Sequence, residues 1–180
     1  MTKPTKQRVY LSIGSNIDRE LHVRAALDAL TKEFGQLLIS PVYESESVGF
    51  TGDNFFNLVV GFDTTLEVRE LATLMRAIEY ANARRRTGVR FGPRTLDIDI
   101  LTYGDCCVDV DEVELPRDEI LKNAFVLIPL ADIAGKQRHP VLRQTYGELA
   151  QQFDNGQQKL WPVNFVWQGK QISRASGSSR

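Results

Sequence analysis

Asp97 and Asp99 stand two residues apart in Thr95-Leu96-Asp97-Ile98-Asp99-Ile100-Leu101-Thr102-Tyr103, a run that otherwise reads as a β-strand. Side chains alternate across a strand, so both carboxylates share one face while Leu96, Ile98 and Ile100 take the other. The rise of a strand sets their Cα atoms roughly 6.5–7 Å apart. Carboxylates that close repel unless a cation lies between them or one of them holds a proton. An oxygen-only pair suits Mg²⁺, which takes one or two protein carboxylates and fills its octahedron with water and substrate phosphates. The plainer alternative is a solvent-facing strand carrying two solvated charges.

The segment before the pair carries its complement. Arg84, Arg85, Arg86, Arg90 and Arg94 precede the aspartates within Arg84–Arg94. A helix end explains one or two of them, since cations suit its dipole. It does not explain Arg90 and Arg94, which flank Gly92-Pro93 directly before the aspartates. Guanidinium groups beside a metal-binding acidic pair are what polyphosphate transfer requires. Thr87-Gly88 breaks the segment, so the arginine loop is expected to close over substrate like a lid. Neither GxxxxGK[ST] nor GxGxxG occurs; Gly14-Ser15-Asn16 is too short to be either.

Elements that position these residues follow from patterning. Residues 8–14 form a β-rich run that ends at Gly14-Ser15-Asn16. From Asp18 a helix is expected to Phe34, with Leu21, Ala25, Leu27, Leu30 and Phe34 inward and Gly35 at its C′ position. Residues 37–49 and 54–64 read as hairpin-paired strands. Thr64–Glu67 fits a capping box, and a helix is expected to about Asn82 with Leu71, Leu74, Met75 and Ile78 inward. Residues 95–103 complete β-α-β-β-α-β, the split βαβ order of an α+β, ferredoxin-like sandwich. Beyond it, 123–135 is expected to begin extended and end helical, 144–153 to be a short helix, and 163–167 an edge strand. The division is one domain over 1–172 with a disordered tail over 173–180.

Composition bounds the function. At 180 residues with 42% hydrophobic and 25% charged residues, the chain is sized for one folded domain. A net charge of −1 gives no global attraction for nucleic acid or an anionic membrane. Any positive field must be local, and 15 of the 22 basic residues are Arg, the better bidentate phosphate ligand. Cys106 and Cys107 are adjacent and form no zinc spacing. No signal peptide or bilayer-length apolar run is read, so a soluble, cytoplasmic protein is expected. His22 is expected to be exposed on its helix and His139-Pro140 to form a turn; neither is assigned to catalysis.

At this point the sequence resembles the 6-hydroxymethyl-7,8-dihydropterin pyrophosphokinase family. The resemblance rests on Arg90 through Leu101, then on Leu11–Asn16, Tyr43–Gly49, Phe55–Asn57 and Ala124–Leu130, in family order across residues 8–155. It implies transfer of the pyrophosphoryl group of ATP to the hydroxymethyl oxygen of the pterin, giving AMP and the pterin diphosphate. By resemblance, Asp97 and Asp99 hold two Mg²⁺ ions, Arg84 and Arg94 contact phosphates, and Arg86 lies on the mobile loop. Glu79, Ile100 and Arg117 join the ATP site. Asn57 reads the pterin, Phe55, Phe91 and Phe125 enclose it, and Gly14, Ser45 and Val48 read its polar edge. These types suit a flat, polar-edged ring. Core packing is the alternative for Phe55 and Phe125 taken singly. Small-molecule substrates, no nucleic acid, no membrane and a monomer are implied.

The chain departs from the family pattern after Leu115-Pro116. The family's His position holds Arg117, the Arg position before the Phe holds Asn123, and Phe91 stands where Trp is common. Arg117 or Lys122 is placed to restore the missing cation. A pterin-binding paralogue with altered ATP use is the neighbouring alternative. A ferredoxin-like RNA-binding module lacks its aromatic strand here, and a metal-dependent nuclease does not account for residues 90–101.

Overall fold

The structure is a computed structural model that describes residues 5–46, 52–83, 95–110, 112–154, 156 and 158–176. Strand β1 (Gln7–Ser15) leads through helix α1 (Arg19–Phe34) to two short strands, β2 (Leu38–Ile39) and β3 (Tyr43–Ser45). Then follow β4 (Phe55–Thr64), α2 (Val68–Ala83) and β5 (Asp97–Tyr103). β4 pairs antiparallel with β1, β2 and β3, and β1 pairs antiparallel with β5. The order β5-β1-β4-β3 is the ferredoxin-like arrangement expected from the element pattern.

One face of the sheet carries the main core. Val9, Leu11 and Ile13 of β1, Phe56, Leu58 and Val60 of β4, and Ile98 and Ile100 of β5 pack with Val23, Leu27 and Leu30 of α1 and Leu71 and Met75 of α2. Helix α1 is rotated from the expected face. Leu21 is 50% exposed and His22 is buried, along with Val23, Ala26, Leu27 and Leu30. His22 does not sit in solvent because Asn82 of α2 faces it, with Nδ1 of the ring 3.0 Å from Asn82 Oδ1. The start of α2 also moves. The Glu67 carbonyl accepts the first helical bond, from Leu71 N, and the Glu67 N–H donates to Glu70 Oε1, so the cap lies three residues beyond Thr64.

The other face is only partly covered. After the hairpin of β6 (Val108–Val110) and β7 (Val113–Leu115) come α3 (Glu119–Lys122), α4 (Ala124–Ala134) and α5 (Tyr146–Gln152). Leu127, Leu130 and Ala134 of α4 and Tyr146 of α5 bury Tyr10, Val59 and Leu101 on that face. The segment expected to begin extended is helical from Ala124, with Pro129 inside it. Its aliphatic run carries no period because the helix is buried on most sides. Thr145 and Glu148 form a reciprocal capping box at α5. His139 lies in a turn, is buried, and accepts at Nδ1 from the N–H groups of Val141 and Leu142.

The C-terminal segment differs from the expected edge strand. β8 (Leu160–Pro162) pairs with β3 and forms the sheet edge, while β9 (Phe165–Trp167) pairs with β10 (Lys170–Ser173) in a separate hairpin. Ser173, the first residue of the expected tail, ends β10 and is buried, its Oγ accepting from Val42 N. Among the described residues, no helix is long and apolar enough to cross a membrane.

Candidate active site

The register of three strands builds the site. Gly14 of β1 pairs with Asn57 of β4 on one side and Asp97 of β5 on the other, and Ser12 pairs with Val59 and Asp99. Paired residues share a face, so Asn57, Gly14 and Asp97 form one row across the sheet. This is the face whose other half α4 covers. The uncovered half is a cleft of ≈ 510 Å³, and both aspartates line it with Ser12, Gly14 and Asn57.

Gly14 is the floor of that row. A Cβ there would meet Asn57 Oδ1 at 3.1 Å and Phe55 Cδ1 at 3.9 Å. Asn57 is buried and donates from Nδ2 to Ser45 Oγ at 2.7 Å, which fixes the plane of the amide. Phe55 lines the cleft from β4 and Phe125 from the first turn of α4. Helix α4 is tied to the sheet beside them by the Tyr43 hydroxyl, which donates to Asp132 Oδ2 at 2.5 Å. Burial pushes the Tyr43 hydroxyl pKa up, and Asp132 adds to the rise. Burial raises Asp132 as well, against the lowering effect of the hydrogen bond.

The charged wall stands at β5, the sheet edge. An edge strand presents unpaired backbone N–H groups. Glu79 of α2 answers one of them, with Oε2 accepting from Ile98 N at 2.9 Å, and it also lines the cleft. Arg117 is held by its own backbone N–H, which donates to Leu101 O at 2.9 Å. Its Nη2 lies 3.0 Å from Glu119 Oε1 and 3.6 Å from Asp99 Oδ1. Burial pulls the Arg117 pKa down, but Asp99 and then Glu119 outweigh it, and the net shift is upward. Arg117 Nε is buried and has no hydrogen-bond partner among the described residues.

Thus Gly14, Ser45, Phe55, Asn57, Glu79, Asp97, Asp99, Arg117 and Phe125 come together around one cleft. Ile100 does not line it; its side chain is buried on the opposite face, in the main core. Lys122 does not line it either, and its Nζ is engaged with Asp118 Oδ2 at 2.7 Å. Arg84, Arg86, Arg94, Val48 and Phe91, and the expected lid over Thr87-Gly88, lie outside the described residues. Ser12, Glu46, Glu119 and Val126 also line the cleft and were not singled out from sequence. Ser12 carried a readable signal, as a polar residue two before Gly14 in an apolar strand. Glu119 carried none, since its place depends on how the chain turns after Pro116.

The donor set suits a hard divalent cation. Asp97 and Asp99 are partly exposed carboxylates on one face of a strand. Among the described residues, no group of three or more His, Cys, Asp and Glu side chains is placed to hold a metal. A cation held here would take this pair as protein ligands, with substrate and water open to complete its shell.

Residues 10–135 match the family described as 7,8-dihydro-6-hydroxymethylpterin-pyrophosphokinase (HPPK). A 2-amino-4-hydroxy-6-hydroxymethyldihydropteridine pyrophosphokinase of Pseudomonas aeruginosa is 39% identical over 138 residues, covering 74% of this chain and 85% of that protein. The enzyme of the same name from Aquifex aeolicus is 34% identical over 143 residues, covering 78% and 89%. A Plasmodium falciparum HPPK-DHPS structure with pterin and p-hydroxybenzoate superposes over 99% of this chain and 50% of that one. Its TM-score is 0.76 at 14% identity, a likeness of fold. The chain belongs to the 7,8-dihydro-6-hydroxymethylpterin-pyrophosphokinase family.

Proposed function

We propose that the cleft moves the pyrophosphoryl group of ATP to the hydroxymethyl oxygen of 6-hydroxymethyl-7,8-dihydropterin, yielding AMP and the pterin diphosphate. The row Asn57–Gly14–Asp97 carries this reading. It sets an amide that reads a heterocycle two strand spacings, about 10 Å, from a carboxylate pair that holds phosphate-bound metal. Between them stands a residue without a side chain, which leaves room for a flat ring.

The chain's own residues supply binding and orientation. Phe55 and Phe125 offer faces to the pterin, and Asn57 and Ser45 offer polar atoms to its edge. Asp97 and Asp99 would hold Mg²⁺, two ions by the family resemblance, and Mg²⁺ when bound neutralises charge on the phosphate oxygens. Arg117 adds a guanidinium on the same side of the cleft, and Arg84, Arg86 and Arg94 are assigned to the phosphates by resemblance. Asp97 is positioned at the reacting end of the row and is the candidate to orient the substrate hydroxyl. Such transfer depends mostly on positioning and charge neutralisation. The protein is proposed to act on these two small molecules as a cytoplasmic monomer, without nucleic acid or membrane.

Phosphorus NMR of the products tests the reaction. With ATP, Mg²⁺ and the pterin, AMP and a pterin diphosphate are expected in equal amounts. ADP with a pterin monophosphate, or no pterin-dependent turnover, contradicts the proposal.

A further inference from the structure

We propose that Arg117 is a cation switch. In the nucleotide-free cleft it neutralises Asp99, and it passes to a phosphate when the metal–nucleotide complex arrives, so that the divalent cation enters with the nucleotide rather than before it. The proposal deepens the reading above and rests on it.

Three observations converge on this residue. First, the Arg117 guanidinium lies 3.6 Å from Asp99 Oδ1, where it competes with any other cation for that carboxylate. The pair is loose, with side chains 30% and 35% exposed, and such a contact is readily given up. Second, the tighter contact, 3.0 Å to Glu119 Oε1, together with the Arg117 N–H to Leu101 O bond, keeps the side chain in the cleft after Asp99 is released. Third, Nε is buried and has no hydrogen-bond partner among the described residues. A buried donor left unpaired is costly, and Nε belongs to the fork with which Arg grips an oxyanion. An incoming phosphate oxygen would satisfy it.

Three possible roles for Arg117 predict different signs. A merely structural arginine, once removed, weakens metal and nucleotide binding together. One that only grips phosphate leaves binding of the metal alone unchanged. Removing a switch makes the metal alone bind more tightly and the nucleotide complex more weakly.

The test titrates Mn²⁺ alone, by calorimetry or electron paramagnetic resonance, into the wild type, Arg117→Met and Arg117→Lys. The Mg²⁺ complex of α,β-methylene-ATP is titrated separately. Arg117→Met is expected to bind Mn²⁺ about two- to fivefold more tightly and the nucleotide complex at least about tenfold more weakly. Arg117→Lys keeps the charge and is expected to bind Mn²⁺ as the wild type does. Unchanged or weaker Mn²⁺ binding by Arg117→Met overturns the switch, as does Mn²⁺ binding by Arg117→Lys tighter than that of the wild type. Pterin-dependent AMP formation by the wild type is measured in parallel. Its absence counts against the reaction, whereas the Mn²⁺ titration judges the switch alone.

Discussion

Gly14 pairs with Asn57 across β1 and β4, and a Cβ placed on Gly14 would stand 3.1 Å from Asn57 Oδ1. That contact is tight, and the amide cannot readily retreat because its Nδ2 is committed to Ser45 Oγ at 2.7 Å. Gly14→Ala is therefore expected to weaken pterin binding about tenfold, or about 1.4 kcal/mol. The thermal midpoint should change little, because the roughly 0.5–1 kcal/mol gained by replacing Gly with Ala inside a strand offsets the tight contact. Pterin fluorescence titration and a thermal melt check both parts.

The buried pair of His22 and Asn82 joins α1 to the last turn of α2, and Asn82 also donates from Nδ2 to Ile78 O. Asn82→Ala would strip the ring of its buried partner. The expected loss is about 1–3 kcal/mol of unfolding free energy, the cost of an unsatisfied buried polar group. Urea denaturation measures it directly. A change below about 0.5 kcal/mol would show that the pair does not brace the two helices.

His139 sets a pH dependence. Burial lowers its pKa below the ordinary value of about 6.5, and Nδ1 accepts two backbone N–H groups that protonation would oppose. With the folded value depressed, the unfolded chain takes up the proton first as pH falls through about 6.5. Stability is then lost with falling pH until the folded value is passed. His139→Asn keeps an acceptor near the same place without titrating. Its stability difference between pH 7 and pH 5 is expected to be smaller than that of the wild type, by denaturant midpoints at both pH values.

Phe125 presents its ring to the cleft from the first turn of α4, which Tyr43 and Asp132 tie to β3. Phe125→Ala is expected to weaken pterin binding by about 1–3 kcal/mol, the range for lost ring stacking. Binding of the nucleotide complex should be affected far less. Equal losses for both ligands would place Phe125 in packing and not in the pterin site.

The sheet and the carboxylate row could be read from sequence because strand alternation is local. Ile98 and Ile100 could not face the core unless Asp97 and Asp99 faced away. What could not be read depends on partners distant in sequence. His22 is buried because Asn82 faces it from another helix, and that partner shifts the buried face of α1 away from Leu21. Ala124–Ala134 resembles a strand because a helix buried on most sides has no polar face to give it a period. The expected box at Thr64–Glu67 has suitable residues, but the Glu67 carbonyl accepts the first helical bond and Glu70 completes the cap. Arg117 was readable as a spare cation, whereas its contacts with Asp99 and Glu119 depend on the turn after Pro116.

The most direct test of the account is AMP formation from ATP, Mg²⁺ and 6-hydroxymethyl-7,8-dihydropterin by the wild type and by Asp97→Ala, with pterin binding measured for both. The account predicts one AMP per pterin diphosphorylated in the wild type. In the variant it predicts a loss of at least about a hundredfold with pterin still bound. Undiminished AMP formation by Asp97→Ala, or none by a wild type that binds the pterin, would contradict it.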